Sequence, residues 1–241
     1  MYKLYHKNPL YFAIAWIVVY CLLQSVANGL SETIGIQKSA NALLASIQSA
    51  YLIYWLREYG FTSKVQLQKP TQSNQHMLYY IPLFIISTSN LWLGIHMNLS
   101  MNELICHVLL MLNVGFLEEV LFRGFLFEAL RKDGLKSAMI ITSLTFGIGH
   151  FINLFNGSGK SVMYVVLQIV FAILLGFLFV MIYIWSGSII PCILSHQLIN
   201  ITSAFANYDA AQGANAIVNM IEILIIVGYI TMMLRKNKVF L

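Results

Sequence analysis

Eight apolar stretches, each long enough to cross a bilayer, make up most of this chain: residues 9–29, 36–57, 77–97, 102–131, 136–155, 161–185, 188–207 and 214–234. A helix needs about 20 predominantly apolar residues to span the hydrocarbon core. The pattern predicts an all-α fold, a polytopic membrane helix bundle of about eight transmembrane helices with a polar site buried inside it. Composition agrees. Hydrophobic residues make up 59% of the 241 and charged residues 10%, against roughly 45–50% and 25% in soluble domains. Mean hydropathy is +0.76. A disordered chain is excluded, and a soluble globule does not fit. The lipid bilayer is the first expected partner.

The second stretch is the least regular, because Gln37, Lys38, Ser46, Gln48 and Ser49 interrupt it. Caps mark several boundaries. Ser100-Met-Asn-Glu103 fits a capping box at the start of the fourth stretch. Gly134 follows its last turn, and Pro191 falls in the first turn of the seventh, where proline is tolerated. No internal repeat or low-complexity segment is visible. Cys21, Cys106 and Cys192 lie in apolar surroundings without CxxC spacing, so they read as buried thiols with neither a disulfide framework nor a zinc motif behind them.

The net charge is +5, yet no basic run exceeds two residues, so nucleic acid is not expected as a partner. The positive-inside rule accounts for the excess better. With the N-terminus inside, Lys3, Lys7, Arg57, Lys64, Lys69, Arg131, Lys132, Lys136, Arg235, Lys236 and Lys238 all face the cytoplasm. Only Lys38 and Lys160 face outward. Both termini are therefore expected in the cytoplasm, with residues 58–76 as the longest cytoplasmic loop. Residues 1–27 have some character of a cleavable leader, with Lys3 and Lys7 ahead of an apolar run and a small-x-small Ser25-Val26-Ala27. The run is long for a leader core, so a retained helix is expected.

The informative residues are the few polar ones deep inside these stretches, since each is costly in lipid unless paired or solvated. The fourth stretch carries Phe116-Leu-Glu-Glu-Val-Leu-Phe-Arg-Gly124. Glu119 and Arg123 stand four apart, share a helix face and can pair. Glu118 is rotated 100° from Glu119 and has no opposite charge on its own helix, which suits a general base. The fifth stretch ends in Phe146-Gly-Ile-Gly-His150, where Gly147 and Gly149 would let a neighbouring backbone approach. The seventh carries Ser195-His196-Gln-Leu-Ile-Asn200, with His196 and Asn200 on one face. At 1.5 Å per residue, Glu118 and His150 lie roughly 20 Å from their helix ends and His196 roughly 12 Å. The three can meet in one slab of the membrane if the helices tilt or stagger. The remaining polar groups have structural readings. Glu128 is near a helix end and can snorkel, Glu222 can bond a neighbour such as Gln168 or Asn113, and His107 pairs with Glu103 at the interface. His6, His76 and His96 lie outside the stretches or at their ends.

Glu118-Glu119-x-x-x-Arg123, Phe146-x-x-x-His150 and His196-x-x-x-Asn200, in this order on three apolar stretches, resemble the motifs of the CAAX protease and bacteriocin-processing family, also called the Abi family. The resemblance covers roughly 102–207. It divides the chain into N-terminal helices without a recognised motif (1–101), a catalytic core (102–207) and a last helix with a basic tail (208–241). It implies an intramembrane endopeptidase acting on a membrane-associated or precursor peptide or protein. Glu118 would activate a water with help from His150. His196 and Asn200 would stabilise the oxyanion, and Glu119 and Arg123 would support them. Zinc is compatible with a Glu118, His150, His196 set, but HExxH is absent and a metal-free glutamate mechanism is the alternative, so no cofactor is required by the sequence. A non-catalytic protein of the same fold, such as a bacteriocin self-immunity factor or scaffold, is the competing reading. A bacterial plasma membrane is the expected location.

Overall fold

A computed structural model describes residues 2–72, 78–154, 162–207 and 212–237. Lys160, Lys238 and His76, which entered the reading of charge and histidines above, lie outside the described residues. A short helix α1 (Tyr2–Lys7) leads into α2 (Pro9–Ile34). Asn8 caps α2 by accepting from the Tyr11 amide at 3.0 Å, with Pro9 in the first turn, and Gly35 ends the helix at φ +78°. Then follow α3 (Ser39–Glu58), α4 (Ile81–Ser87) and α5 (Met101–Glu119). α5 runs on as a π-helix (Val120–Phe127) and a last turn α6 (Glu128–Leu130). The chain continues with α7 (Leu135–Gly149), α8 (Val162–Ser186), α9 (Ile190–Thr202) and α10 (Gln212–Lys236). The result is the all-α bundle that the hydropathy pattern predicts.

Five helices are long and apolar enough to cross a membrane: Pro9–Ile34, Met101–Asp133, Leu135–Ile152, Val162–Ser186 and Gly213–Lys236. Their outer faces carry large exposed apolar side chains, among them Leu22, Val26, Leu30, Met163, Val166 and Leu224. Such a belt would be an aggregation surface in water and is ordinary in lipid. α3 has the length but a polar content set by its neighbours. Gln48 accepts from Gln24 at 3.0 Å, Asn41 donates to Gln24, and Ser46 accepts from Asn113. These polar side chains point into the bundle and hold α3 against α2 and α5, as polar residues do between membrane helices.

Three of the eight expected spans are corrected: the second, as α3, is not apolar enough to stand among the five, and two more are too short. The third stretch, 77–97, is not one helix. α4 stops at Ser87, a 3-10 turn covers Ser89–Leu91, Gly94 turns at φ +92°, and Ile95 forms an isolated bridge with Ala206. The polar run Thr88-Ser-Asn90 explains the break, because such side chains offer the backbone alternative partners. Thr88 Oγ1 donates to the Ile85 carbonyl and Asn90 Nδ2 to the Ile199 carbonyl. The seventh stretch, 188–207, holds the thirteen residues of α9 and then a 3-10 turn, Ser203–Phe205. That is about 20 Å of helix against a hydrocarbon core of about 30 Å. Its ends therefore need protein partners. Ser188 Oγ accepts from the Ile190 amide at the start. At the other end Asn90 bonds the Ile199 carbonyl, while Ser203 and His107 reach the Asn200 carbonyl.

The polar connection after α3 is folded rather than loose. Phe61 and Val65 are buried, and Thr71 and Gln66 bond the backbone of the α8–α9 turn at Ser186 and Ile189.

Candidate active site

The site begins where α5 ends. The capping box at its start is present as read from the sequence, with Ser100 and Glu103 bonding each other reciprocally. Glu118 and Glu119 occupy its last turn, and the wider π-helix follows at once. Long π segments are rare and concentrate at functional sites. All eight residues of this one are buried, Arg123 completely so. Gly124 permits this by packing on Val65, which a Cβ would meet at 2.9 Å.

Arg123 donates from Nη1 to Glu119 Oε1 at 3.0 Å and from Nη2 to the Gly176 carbonyl at 3.2 Å. Its guanidinium also lies 4.4 Å from the Phe146 ring and 5.4 Å from that of Phe179. The i,i+4 pair expected from the sequence is therefore formed, fully buried and framed by aromatic faces that favour a cation.

His196, on α9, turns Nδ1 onto the same Glu119 Oε1 at 2.8 Å. An ionised carboxylate only accepts, so this nitrogen carries a proton and the ring orientation is fixed. The other nitrogen, Nε2, faces Glu118 Oε2 at 3.8 Å, too long for a direct hydrogen bond. Glu118 Oε1 accepts from the Tyr20 hydroxyl at 2.9 Å. The sequence reading missed Tyr20. It is one apolar-context tyrosine among many in the spans and belongs to no motif, so only the packing of α2 on the π-helix exposes its role. Glu118 is thus not solitary, as its own helix suggested, but held from α2 and faced by α9.

His150 caps the C-terminus of α7. Its ring packs edge-on against Phe146 at 5.7 Å, and the His196 ring does the same at 5.8 Å. One phenyl ring therefore spaces both histidines. His150, His196 and Asn200 line a common cavity of about 290 Å³, and Gln168, Asn219 and Glu222 also contribute to its wall. Glu118 does not line it and meets it across His196. The helices come close through glycine at two places. Gly147 leaves a Cβ no room, with Ile173 Cγ1 at 2.3 Å and the Ile169 carbonyl at 2.9 Å, and Gly115 is pressed by Gln197 at 2.6 Å. Gly149, expected to act likewise, faces open space.

Three structural readings change. His107 bonds Lys38 and the Asn200 carbonyl, not Glu103. Asn113 bonds Ser46 and the Leu109 carbonyl rather than Glu222, which sits beside Ser89 on the cavity wall that Gln168 also lines. Glu128 is tied to Tyr183 and Arg131, both at 3.0 Å, more than it snorkels.

Among the described residues no three His, Cys, Asp or Glu side chains gather closely enough to hold a metal, so Glu118, His150 and His196 do not form a preassembled zinc site. His196, with Nδ1 on Glu119, keeps Nε2 for a ligand.

Fold and site together define a polytopic α-helical membrane protein with a carboxylate–histidine cluster enclosed by its helices. Residues 100–202 match the family model of the type II CAAX prenyl endopeptidases, Rce1-like. The match takes in all three motifs, so the resemblance read from them is borne out over this segment, and it supports a membrane endopeptidase at the level of the family. No curated protein matches the chain significantly.

Proposed function

We propose that this chain is an intramembrane endopeptidase that hydrolyses a peptide bond of a membrane-associated or precursor substrate with a glutamate-activated water. The observation that carries the reading is the approach of Glu118 and His196 from two helices of the family-matched segment, each held by a further residue. Tyr20 occupies one oxygen of Glu118 and leaves Oε2 toward His196. That oxygen takes the proton of the attacking water, with His150 on the cavity side helping to place it.

His196 and Asn200 serve the tetrahedral intermediate. They stand four apart on α9, face one cavity, and donate to the oxyanion. For His196 this requires a proton on Nε2 as well as the one on Nδ1, with Glu118 and Glu119 as the counter-charges. Glu119 and Arg123 position the ring and do not touch substrate. No step needs a metal.

Glu118→Ala, His150→Ala and His196→Ala in proteoliposomes test the reading, each expected to abolish cleavage in a folded, inserted protein. A triple variant that still processes substrate overturns it and favours a non-catalytic membrane protein of this fold. The bacterial plasma membrane, with both termini in the cytoplasm, is the proposed setting. The orientation rests on the Lys/Arg asymmetry.

A further inference from the structure

Glu222 is the deep carboxylate that the proposed chemistry does not use. It sits mid-way along α10, beyond the family-matched residues, and is 8% exposed. Its side chain forms part of the wall of the cavity that holds His150, His196 and Asn200. Glu128, Glu119 and Glu118 all have hydrogen-bond or ion-pair partners. Among the described residues Glu222 is hydrogen-bonded by the Ser89 side chain. No Lys or Arg among the described residues lies in ion-pair reach of it or lines the cavity, whose other polar walls are amides, hydroxyls and the rings of His150 and His196.

We propose that Glu222 forms a subsite for a cationic group of the peptide substrate, a Lys or Arg side chain or a free N-terminus. The proposal deepens the endopeptidase reading and rests on it. A carboxylate on the wall of a small, part-apolar cavity gains most from a positive partner. It discriminates against an acidic one by like-charge repulsion and against a neutral one by remaining unpaired. A volume of about 290 Å³ is at the small end of ligand pockets and admits one or two side chains, so a cation entering from a peptide held at His196 and Asn200 is brought to this wall. The apolar part of the lining, including Leu167, Phe171 and Ile223, accepts the aliphatic stem of such a side chain.

The test uses purified protein in nanodiscs and N-acetylated neutral peptides in which a single Lys is walked along the sequence, each with Gln and Glu counterparts. One further peptide has a free N-terminus. Binding is measured in the Glu118→Gln background, and cleavage is measured in parallel with Glu118 intact. At one position, or at the free N-terminus, the cation is expected to bind at least tenfold more tightly than its neutral counterpart. Glu222→Gln is expected to erase that preference, Glu222→Asp to keep it, and Glu222→Lys to favour the Glu peptide. Thermal unfolding confirms that each variant is folded. Equal binding of Lys and Gln peptides at every position, a preference that survives Glu222→Gln, or no peptide binding at all overturns the subsite. Cleavage without a charge preference removes the subsite and leaves the endopeptidase. A Glu222-dependent binding preference without cleavage does the reverse.

Discussion

Nδ1 of His196 lies 2.8 Å from Oε1 of Glu119, the same oxygen that receives Nη1 of Arg123 at 3.0 Å. One carboxylate oxygen thus links the end of α5, the π-helix and α9. The neighbour in sequence, Glu118, is left to a different partner set. Two adjacent glutamates acquire two environments because a helix turns 100° per residue, and the proposed division of labour follows from that rotation.

The first prediction concerns the proposed chemistry. Glu118→Ala, His150→Ala and His196→Ala should each lower the cleavage rate by at least about 100-fold, the scale of one acid–base or oxyanion group. Size-exclusion profiles and unfolding temperatures should stay near those of the wild type. A variant that loses folding and activity together would point to a structural role.

Arg123→Met should behave differently. It leaves Glu119 ionised and buried without its cation, at a cost of about 3–5 kcal/mol, read by thermal or SDS-induced unfolding. The double variant Glu119→Gln with Arg123→Met should recover a large part of that stability and stay catalytically impaired, because the His196 ring then lacks its carboxylate.

Tyr20→Phe keeps the ring in place and removes the donor to Glu118. A hydrogen bond to a charged group contributes about 1.5–3 kcal/mol. If it holds the carboxylate as proposed, kcat should fall by about tenfold or more with KM within about twofold. A rise in KM alone would assign Tyr20 to substrate binding.

The two glycines of the fifth stretch should part company. Gly147→Val drives a side chain into Ile173 and the Ile169 carbonyl, an overpacking that costs about 1–3 kcal/mol. Gly149→Ala meets nothing within 4 Å and should be neutral or stabilising by up to about 1 kcal/mol. Paired unfolding measurements separate them.

Prolonged dialysis against a chelator should leave the cleavage rate within about twofold, on the metal-independent reading. Loss of activity restored by added zinc would replace it.

Much of this architecture was legible because lipid imposes a strong pattern. The stretches that became α2, α8 and α10 are long, apolar and lightly interrupted, and their helices fall where hydropathy places them. The capping box at Ser100 and the Glu119–Arg123 pair are local and follow from spacing alone. What spacing misses depends on neighbours distant in sequence. The stretch 77–97 has the composition of a span, but Asn90 and Thr88 direct their hydrogen bonds elsewhere. α9 is short because Asn90, His107 and Ser203 satisfy its last carbonyls from outside the helix. Tyr20 reaches Glu118 across 98 residues, and no periodicity carries that contact. The bond between His196 and Glu119 escaped for the same reason, although both residues were already candidates.

The π-helix at Val120–Phe127 works like a spare link in a chain. Its i→i+5 bonding spreads the winding over more residues than an α-helix uses. An α-helix turns about 100° per residue, so removing a residue from the ordinary α part of α5 would rotate everything after it by that angle and part Glu128 from Tyr183. Removing one inside the π segment is taken up by relaxation to α pitch, and the turn that carries Glu128 keeps its facing. What is lost there is local: the stretch on which Arg123 and Gly124 are placed.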